Sequence, residues 1–313
     1  MKLDQLETEF RNPDTFQLDL LSTQDLVAVI QREDEKVATS VRRALPEIAA
    51  AVDRIVYSLR AGGRLFYIGA GTSGRLGVLD AAECPPTFNT DPDMVQGLIA
   101  GGEDAMFRAV EGAEDDLSLA EKDLRKRNLT GNDVVVGVAA SGRTPYVIGG
   151  VRYAAGLGCT TIALVCVSGS ELSQVAQISI SVPVGPEVLA GSTRMKAGTA
   201  QKMILNMLST ASMVKLGKTY ENLMVDVKAS NAKLTARIQR MVRDATGVGE
   251  QEAVKALTTA GGSAKVAIVM LLAGITSESA QRCIELAHGS VRHALVVAAT
   301  EKEMRVNQNC NEE

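Results

Sequence analysis

The sequence predicts an α/β fold, with a parallel sheet of about five strands covered by helices on both faces and a small C-terminal helical bundle. Short apolar runs of strand length alternate with longer segments whose apolar residues recur at helical spacing. Beyond residue 247, four short apolar segments are separated by glycines at 261–262, 274 and 289, which indicates a set of short helices. We therefore expect an α/β domain over residues 1–246 and a helical subdomain over residues 247–313.

The elements follow in order along the chain. Thr23 and Asp25 are typical of a capped helix start, and apolar residues three and four apart predict one amphipathic helix from Glu33 to Arg60. The predicted strands are 65–69, 94–100, 134–139, 161–167 and 178–182. Further helices are predicted at 104–127, 147–157, 195–216 and 229–246.

The segment 65–83 carries the clearest functional signal. Its strand leads into a glycine-rich turn that contains Thr72 and Ser73, and a helix follows that Pro85 and Pro86 are expected to end. A turn between a strand and a helix start presents backbone N–H groups and hydroxyls to an anion, usually a phosphate.

Three interpretations of this turn remain open from its spacing alone. Gly69, Gly71 and Gly74 match the dinucleotide fingerprint, but Asp91 and Asp93 precede the next apolar run, whereas a ribose-binding acid should follow it. The pair of hydroxyl residues favours a phosphate monoester such as a phosphosugar. A tight turn with a purely structural role is the third interpretation.

Two more hydroxyl-rich segments support ligand binding. Ser141 and Thr144 follow a nearly continuous apolar strand, and ligands of parallel sheets bind at the carboxyl ends of strands. Both turns are therefore expected to contribute to one site. Ser192 and Thr193 precede the helix predicted from residue 195, and they can either cap that helix or contact a ligand.

Composition argues against several function classes. The net charge is −4, Lys and Arg are scattered, and Trp is absent, so no nucleic-acid surface is predicted. His288 and His293 do not have the spacing of metal ligands on a helix, and no Cys-x-x-Cys pair occurs, so no metal site is expected. Five scattered cysteines, a charged N-terminus and the lack of a long apolar run predict a cytoplasmic protein without a membrane segment. These cysteines are Cys84, Cys159, Cys166, Cys283 and Cys310.

Four motifs, in this order, resemble those of the N-acetylmuramic acid 6-phosphate etherases. They are Gly69–Arg75, Asp80–Glu83, Ala140–Pro145 and Gly191–Lys196. Thr8–Asn12 and Asn222–Asp226 are similar too, so the resemblance extends over about the whole chain. Because this family belongs with the sugar isomerase (SIS) domains, the resemblance implies a flavodoxin-like sheet that binds phosphosugars.

The resemblance also implies a reaction. The lactyl ether of N-acetylmuramic acid 6-phosphate is cleaved to N-acetylglucosamine 6-phosphate and D-lactate, by elimination and then addition of water, in cell-wall sugar recycling. No cofactor is needed. Glu83 and Glu114 match the catalytic glutamates of the family, and we assign Glu83 as the acid and Glu114 as the base. On the predicted helix, Glu114 borders the apolar stripe, so partial burial is expected.

The substrate-binding residues are predicted among the turn hydroxyls, namely Thr72, Ser73, Ser141, Thr144 and Ser192. Ser73, Ser141 and Thr144 are expected at the phosphate, while Arg75 and Arg143 either add positive charge or are solvated. A helix from Ser73 to Glu83 is about 15 Å long, which exceeds the length of a sugar phosphate. We therefore predict a homodimer whose site is shared between chains, as the resemblance also implies.

Three other functions are compatible with such a fold. The mammalian glucokinase regulatory protein resembles this family and senses sugar phosphates without etherase chemistry, but it has a duplicated sugar-binding domain. An aldose–ketose phosphosugar isomerase would use similar phosphate turns and a glutamate base, and would release no lactate. A dinucleotide-dependent oxidoreductase would have to bind a nicotinamide.

Overall fold

The chain contains a five-stranded parallel sheet with the strand order β2-β1-β3-β4-β5. It is seen in a computed structural model that describes residues 7–227 and 232–309. The strands are β1 (Leu65–Gly69), β2 (Val95–Ile99), β3 (Val134–Val138), β4 (Thr160–Val165) and β5 (Ile178–Ser181). This order is flavodoxin-like, which confirms the predicted fold class.

Helices cover both faces of this sheet. All residues of β1 and β3 are buried, as expected for apolar strands between two layers. On one face, Phe66 and Ile68 belong to a core that includes Tyr146 of α5 (Pro145–Gly156). On the other face, α3 (Gly71–Phe88) approaches so closely that a Cβ on its Gly77 would lie 2.9 Å from the Tyr67 side chain.

Twelve α-helices occur in the described residues. Besides α3 and α5, those up to the end of the sheet are α1 (Thr23–Arg43), α2 (Leu45–Arg60), α4 (Leu119–Lys126) and α6 (Glu171–Val175). Those after it are α7 (Lys196–Lys215), α8 (Ala232–Thr246), α9 (Glu250–Thr259), α10 (Ala264–Ala273), α11 (Ser277–Leu286) and α12 (Val291–Asn309). The predicted residues 229–231 and Cys310 lie outside the described part of the chain.

The chain divides into two compact units. The first runs to Glu83 and resumes from Asp91 to Ser212, and the second comprises Cys84–Thr90 and the chain from Met213 onward. The second unit has its own apolar core, which includes Val242 of α8 and Ile268 of α10. A domain boundary between residues 246 and 247 stays a prediction.

The helices of the described residues are short or polar compared with a membrane span. No helix there is, by itself, both long and apolar enough to cross a membrane. The bent pair formed by α9 and α10, at 113° to each other, meets the same criterion only when both helices are counted together. Such a pair is weak evidence, since buried helices of soluble proteins meet the criterion too.

Two predicted helix boundaries are wrong because of prolines. The single helix expected from Glu33 to Arg60 is interrupted at Ala44, and Pro46 occupies the first turn of α2, where a proline needs no N–H partner. Conversely, α3 continues through Pro85 and Pro86 as far as Phe88. A proline has a helical φ, and here the lost N–H bonds fall in the last turns of the helix.

The helix predicted at 104–127 is also wrong, since only Leu119–Lys126 is α-helical. Gly112 has φ +75°, a left-handed conformation that no helix continues through. The part of the supposed apolar stripe before α4 is therefore not buried as a continuous face, and Val110 and Leu117 are 41% and 52% exposed, whereas Ala120 and Leu124 of α4 are buried. Glu114 lies in a short 3-10 turn with an exposed side chain, so the expected partial burial is wrong as well.

Asp133 joins the beginnings of β1 and β3. It is 1% exposed, and its carboxylate accepts hydrogen bonds from the backbone N–H groups of Arg64 and Thr130, both at 2.8 Å. The Arg64 guanidinium pairs with the same carboxylate at 2.8 Å. Burial opposes ionisation of this carboxyl, but the hydrogen bonds and the arginine outweigh it and hold the pKa of Asp133 below its usual value.

We expect Asp133→Ala to lower the free energy of unfolding by about 3–5 kcal/mol, because the two backbone N–H groups lose their buried acceptor and the Arg64 guanidinium loses its counter-charge. Since the folded-state pKa of Asp133 is lowered, its contribution is present above the ordinary carboxyl pKa and disappears as pH falls through the folded-state pKa. Urea unfolding at neutral pH and at about pH 3 measures both effects. Asp53→Ala, at an exposed carboxylate, is the control, and equal stabilities of the two variants at neutral pH would contradict the prediction.

Candidate active site

The turns after β1 and β3 line one cavity of about 470 Å³. These strands are neighbours in the sheet and mark the point where the strand order reverses, which is where flavodoxin-like sheets bind ligands. Thr72 and Ser73 line the cavity from the first turn, and Ser141 and Thr144 line it from the second. The structure thus brings four of the five predicted hydroxyl residues together.

The first turn depends on close backbone packing. A Cβ on Gly74 would lie 2.7 Å from the carbonyl oxygen of Gly69, so the helix can begin directly against the end of β1 only with glycine there. Gly71, the first residue of α3, has φ +52°. The start of this helix, with its unpaired N–H groups, therefore faces the cavity.

The second turn offers hydroxyls that no helix cap uses. Thr144 is the N-cap residue of α5, yet its side chain makes no capping hydrogen bond. Within the described chain, neither the Ser141 nor the Thr144 hydroxyl has a side-chain hydrogen bond to the protein. Both residues are half-buried at the cavity wall, so their hydroxyls are able to donate to a bound anion.

Two further polar groups are buried without a complete set of partners, one on a side chain that lines this cavity and one on a side chain that contacts a lining residue. The Nη1 atom of Arg143 is buried and has no hydrogen-bond partner among the described residues. Ser73 donates to Oε1 of Gln201 at 2.9 Å. Nε2 of that amide is buried and has no hydrogen-bond partner among the residues that the structure describes. If the Gln201 amide is reversed, Nε2 donates to Ser73, and the serine O–H becomes available to an anion.

The start of α7 is held by a residue that the sequence analysis missed. The Glu187 carboxylate, fully buried, accepts hydrogen bonds from the backbone N–H groups of Lys196 and Ala197, both at 3.0 Å. Burial raises the pKa of Glu187. This carboxylate therefore caps the helix, and the Ser192 and Thr193 hydroxyls have no such role. Thr193 lines the cavity, whereas Ser192 is not among its lining residues.

A buried ion pair also holds the start of α7. Lys196 is 1% exposed, and its Nζ lies 2.6 Å from Oε2 of Glu33 on α1. Burial opposes ionisation of Glu33, but hydrogen bonds from Lys196 and Lys36 outweigh it and keep the pKa of Glu33 below its usual value. The segment that carries Thr193 to the cavity is therefore anchored by buried charges.

The predicted catalytic glutamates lie in different places within one chain. Glu114 lines the cavity together with Asp115 and Glu9, so carboxylates stand beside the hydroxyl turns. Glu83 is exposed and lines a separate groove of about 210 Å³, with Leu79 of the same helix and Lys202 of α7. Since Ser73 and Glu83 both belong to α3, the helix itself keeps Glu83 away from the hydroxyl turn after β1.

The described residues contain no group of three or more His, Cys, Asp or Glu side chains placed to hold a metal ion. Their buried cysteines are Cys84, Cys159, Cys166 and Cys283. Burial raises the pKa of Cys159 to about 11 and that of Cys166 to about 12. These two thiols are therefore poor candidates for nucleophiles.

Comparisons with known proteins agree with this fold and this pattern of motifs. The model of the family described as SIS domain matches residues 117–211, and that described as glucokinase regulatory protein N-terminal SIS domain matches residues 47–155. The chain is 55% identical to N-acetylmuramic acid 6-phosphate etherase 2 of Lactiplantibacillus plantarum, over 94% of this chain and 100% of that protein. It is 55% identical to the etherase of Brucella anthropi, over 94% and 96%. It is 57% identical to that of Yersinia pestis, over 94% and 100%.

Identity at this level over nearly the full length of both chains goes far beyond a shared fold. The chain belongs to the N-acetylmuramic acid 6-phosphate etherases, a family built on the SIS domain.

Proposed function

We propose that this protein cleaves the lactyl ether of N-acetylmuramic acid 6-phosphate, giving N-acetylglucosamine 6-phosphate and D-lactate. The observation that carries the proposal is the full-length identity of 55–57% to etherases. A cavity that combines hydroxyl turns, a guanidinium and a carboxylate supports it. The protein would then be a carbon–oxygen lyase of cell-wall sugar recycling in the cytoplasm.

The phosphate is assigned to the hydroxyl end of the cavity. Ser73, Ser141 and Thr144 would donate hydrogen bonds to its oxygens, and the beginning of α3 would add backbone N–H groups. The buried Nη1 of Arg143 supplies a cationic donor that the protein leaves unused among the described residues. Thr72 is assigned to the sugar, and Thr193 takes the role expected of Ser192.

The chemistry needs one base and one acid. In the open-chain sugar, the aldehyde acidifies the proton on carbon 2, which Glu114 would remove. Glu83 would protonate the ether oxygen as the bond from carbon 3 to that oxygen breaks, releasing D-lactate and leaving an enal. Water then adds its oxygen to carbon 3 and gives a proton to Glu83, while Glu114 returns its proton to carbon 2. Every proton is conserved, and no redox step is involved.

A second copy of the chain explains how Glu83 reaches the substrate. An acid that protonates an ether near neutral pH must hold its proton, which burial of a carboxyl favours. In a single chain Glu83 is exposed, and Leu79 beside it is 51% exposed. In the proposed homodimer, this face of α3 is covered by the partner, and Glu83 completes the partner's cavity.

Product analysis tests the proposed function. We expect the purified protein to release D-lactate and N-acetylglucosamine 6-phosphate in equal amounts from N-acetylmuramic acid 6-phosphate, measured with D-lactate dehydrogenase and by mass spectrometry. N-acetylglucosamine 6-phosphate, which lacks the ether, serves as the control substrate. Binding of the phosphosugar without lactate release would favour a regulator, and conversion to a ketose phosphate would favour an isomerase.

A further inference from the structure

The N-terminal segment brings an additional carboxylate into the cavity. Glu9 lies in a short 3-10 helix (Glu7–Glu9), is half-buried and lines the cavity with Thr72 and Thr193. A Cβ on Gly191 would lie 3.2 Å from Oε2 of Glu9, so this carboxylate also packs against the segment that precedes α7. None of the residues that the proposed mechanism uses occupies this position.

The segment that carries Glu9 is fastened to the rest of the first unit. Nδ2 of Asn12 donates to the carbonyl of Pro186 at 3.4 Å, and Oγ1 of Thr15 donates to that of Val188 at 2.9 Å. Asn12 is 4% exposed, and its side chain also caps the 3-10 helix that starts at Pro13. Glu9 is therefore held at the cavity by buried contacts on its C-terminal side.

The charges of the cavity restrict what Glu9 can contact. An ionised carboxylate only accepts hydrogen bonds, and it repels a phosphate. Glu114 and Asp115 also line the cavity and add negative charge there. Among the described residues, Arg143 is the only Lys or Arg that lines it. The groups of a sugar phosphate that Glu9 can bind are therefore its neutral donors, which are the hydroxyl groups and, in an N-acetyl sugar, one amide N–H. An open-chain sugar has as many hydroxyl groups as the ring, because ring opening turns the carbon 1 hydroxyl into the aldehyde and the ring oxygen into a hydroxyl on carbon 5.

We propose that Glu9 is a specificity residue whose carboxylate binds hydroxyl groups of the sugar. This inference rests on the proposed function for the identity of the sugar. It adds a contact that distinguishes a sugar phosphate from phosphate alone. The hydroxyl turns and Arg143 would then hold the phosphate, and the N-terminal segment would hold the sugar chain.

Calorimetric binding measurements on the full chain test this role without any chemical step. The ligands are N-acetylglucosamine 6-phosphate and inorganic phosphate. The variants are Glu9→Gln and Glu9→Ala. The matched control is Glu7→Gln, because Glu7 belongs to the same short helix but does not line the cavity. We expect Glu9→Gln to weaken the sugar phosphate about 10-fold or more, as for other hydrogen bonds to charged groups. Phosphate should bind to that variant equally well or more tightly.

Equal weakening of both ligands, or unchanged binding of the sugar phosphate, would overturn the inference. So would a wild-type protein that binds inorganic phosphate but not N-acetylglucosamine 6-phosphate. Thermal unfolding of the Gln variant, which keeps the side-chain shape, shows whether the segment is still folded. Failure of the proposed function appears separately, as absence of D-lactate release from a protein in which Glu9→Gln still discriminates between the two ligands.

Discussion

Replacement of Glu83 or Glu114 by glutamine is expected to slow D-lactate release by about 10²–10⁴-fold in each variant, the usual contribution of a positioned acid or base. Glutamine preserves the side-chain shape but neither accepts nor delivers the proton. The loss should therefore appear in kcat, with little change in KM. Steady-state D-lactate release from N-acetylmuramic acid 6-phosphate measures both constants.

Exchange of the carbon 2 proton for deuterium in heavy water distinguishes the roles of the two glutamates. If Glu114 removes the proton on carbon 2, Glu83→Gln should still exchange that proton for deuterium, whereas Glu114→Gln should not. Exchange followed by NMR in the absence of net cleavage reports this directly. The reverse pattern would exchange the two assignments. Glu111→Gln is the control for loss of charge, because Glu111 is exposed and does not line the cavity.

Mixed dimers are expected to regain activity that both parent variants lack. One chain carries Glu83→Gln, and the other carries Ser73→Ala with Ser141→Ala in the hydroxyl turns. If Glu83 acts in the partner's cavity, the heterodimer has one intact site and one site with both defects. Random pairing of equal amounts then yields about a quarter of the wild-type activity, since half of the dimers are mixed and each has one working site.

The matched control combines two variants whose substituted residues line the same cavity within a single chain. Glu114 and Ser141 line a single cavity, so a mixture of Glu114→Gln chains with Ser141→Ala chains has no intact site and should stay inactive. Co-expression with two affinity tags isolates the mixed dimers. If both mixtures stay inactive, or if the protein is monomeric at assay concentrations, the shared site would be falsified.

Local patterns in the sequence were sufficient for the sheet. β1 is found at Leu65–Gly69 as predicted, and β3 differs by one residue, because continuous apolar runs have little alternative to a buried parallel strand. Turn chemistry was equally readable. Thr72, Ser73, Ser141 and Thr144 line one cavity, since carboxyl ends of adjacent parallel strands must meet at one edge.

Helix predictions failed where a single backbone conformation overrides periodicity. The apolar spacing from residue 104 onward was helical, but Gly112 takes a left-handed φ, and Val110 and Leu117 remain exposed. Periodicity measures only which residues could share a face, and it does not show whether another element is present to cover that face. The inferred burial of Glu114 failed for the same reason.

By itself, the sequence determined the fold class, the place of the two hydroxyl turns at the ends of β1 and β3 and, through its motifs, the family. Tertiary structure alone decided which distant segments meet at those turns. Glu9 precedes all five strands in the sequence and Thr193 follows them, yet both line the same cavity. Glu83 lines another groove although it shares α3 with Ser73. Secondary structure and turn chemistry depend on neighbours in the chain, whereas the composition of a site depends on packing between segments far apart in it, which local patterns do not encode.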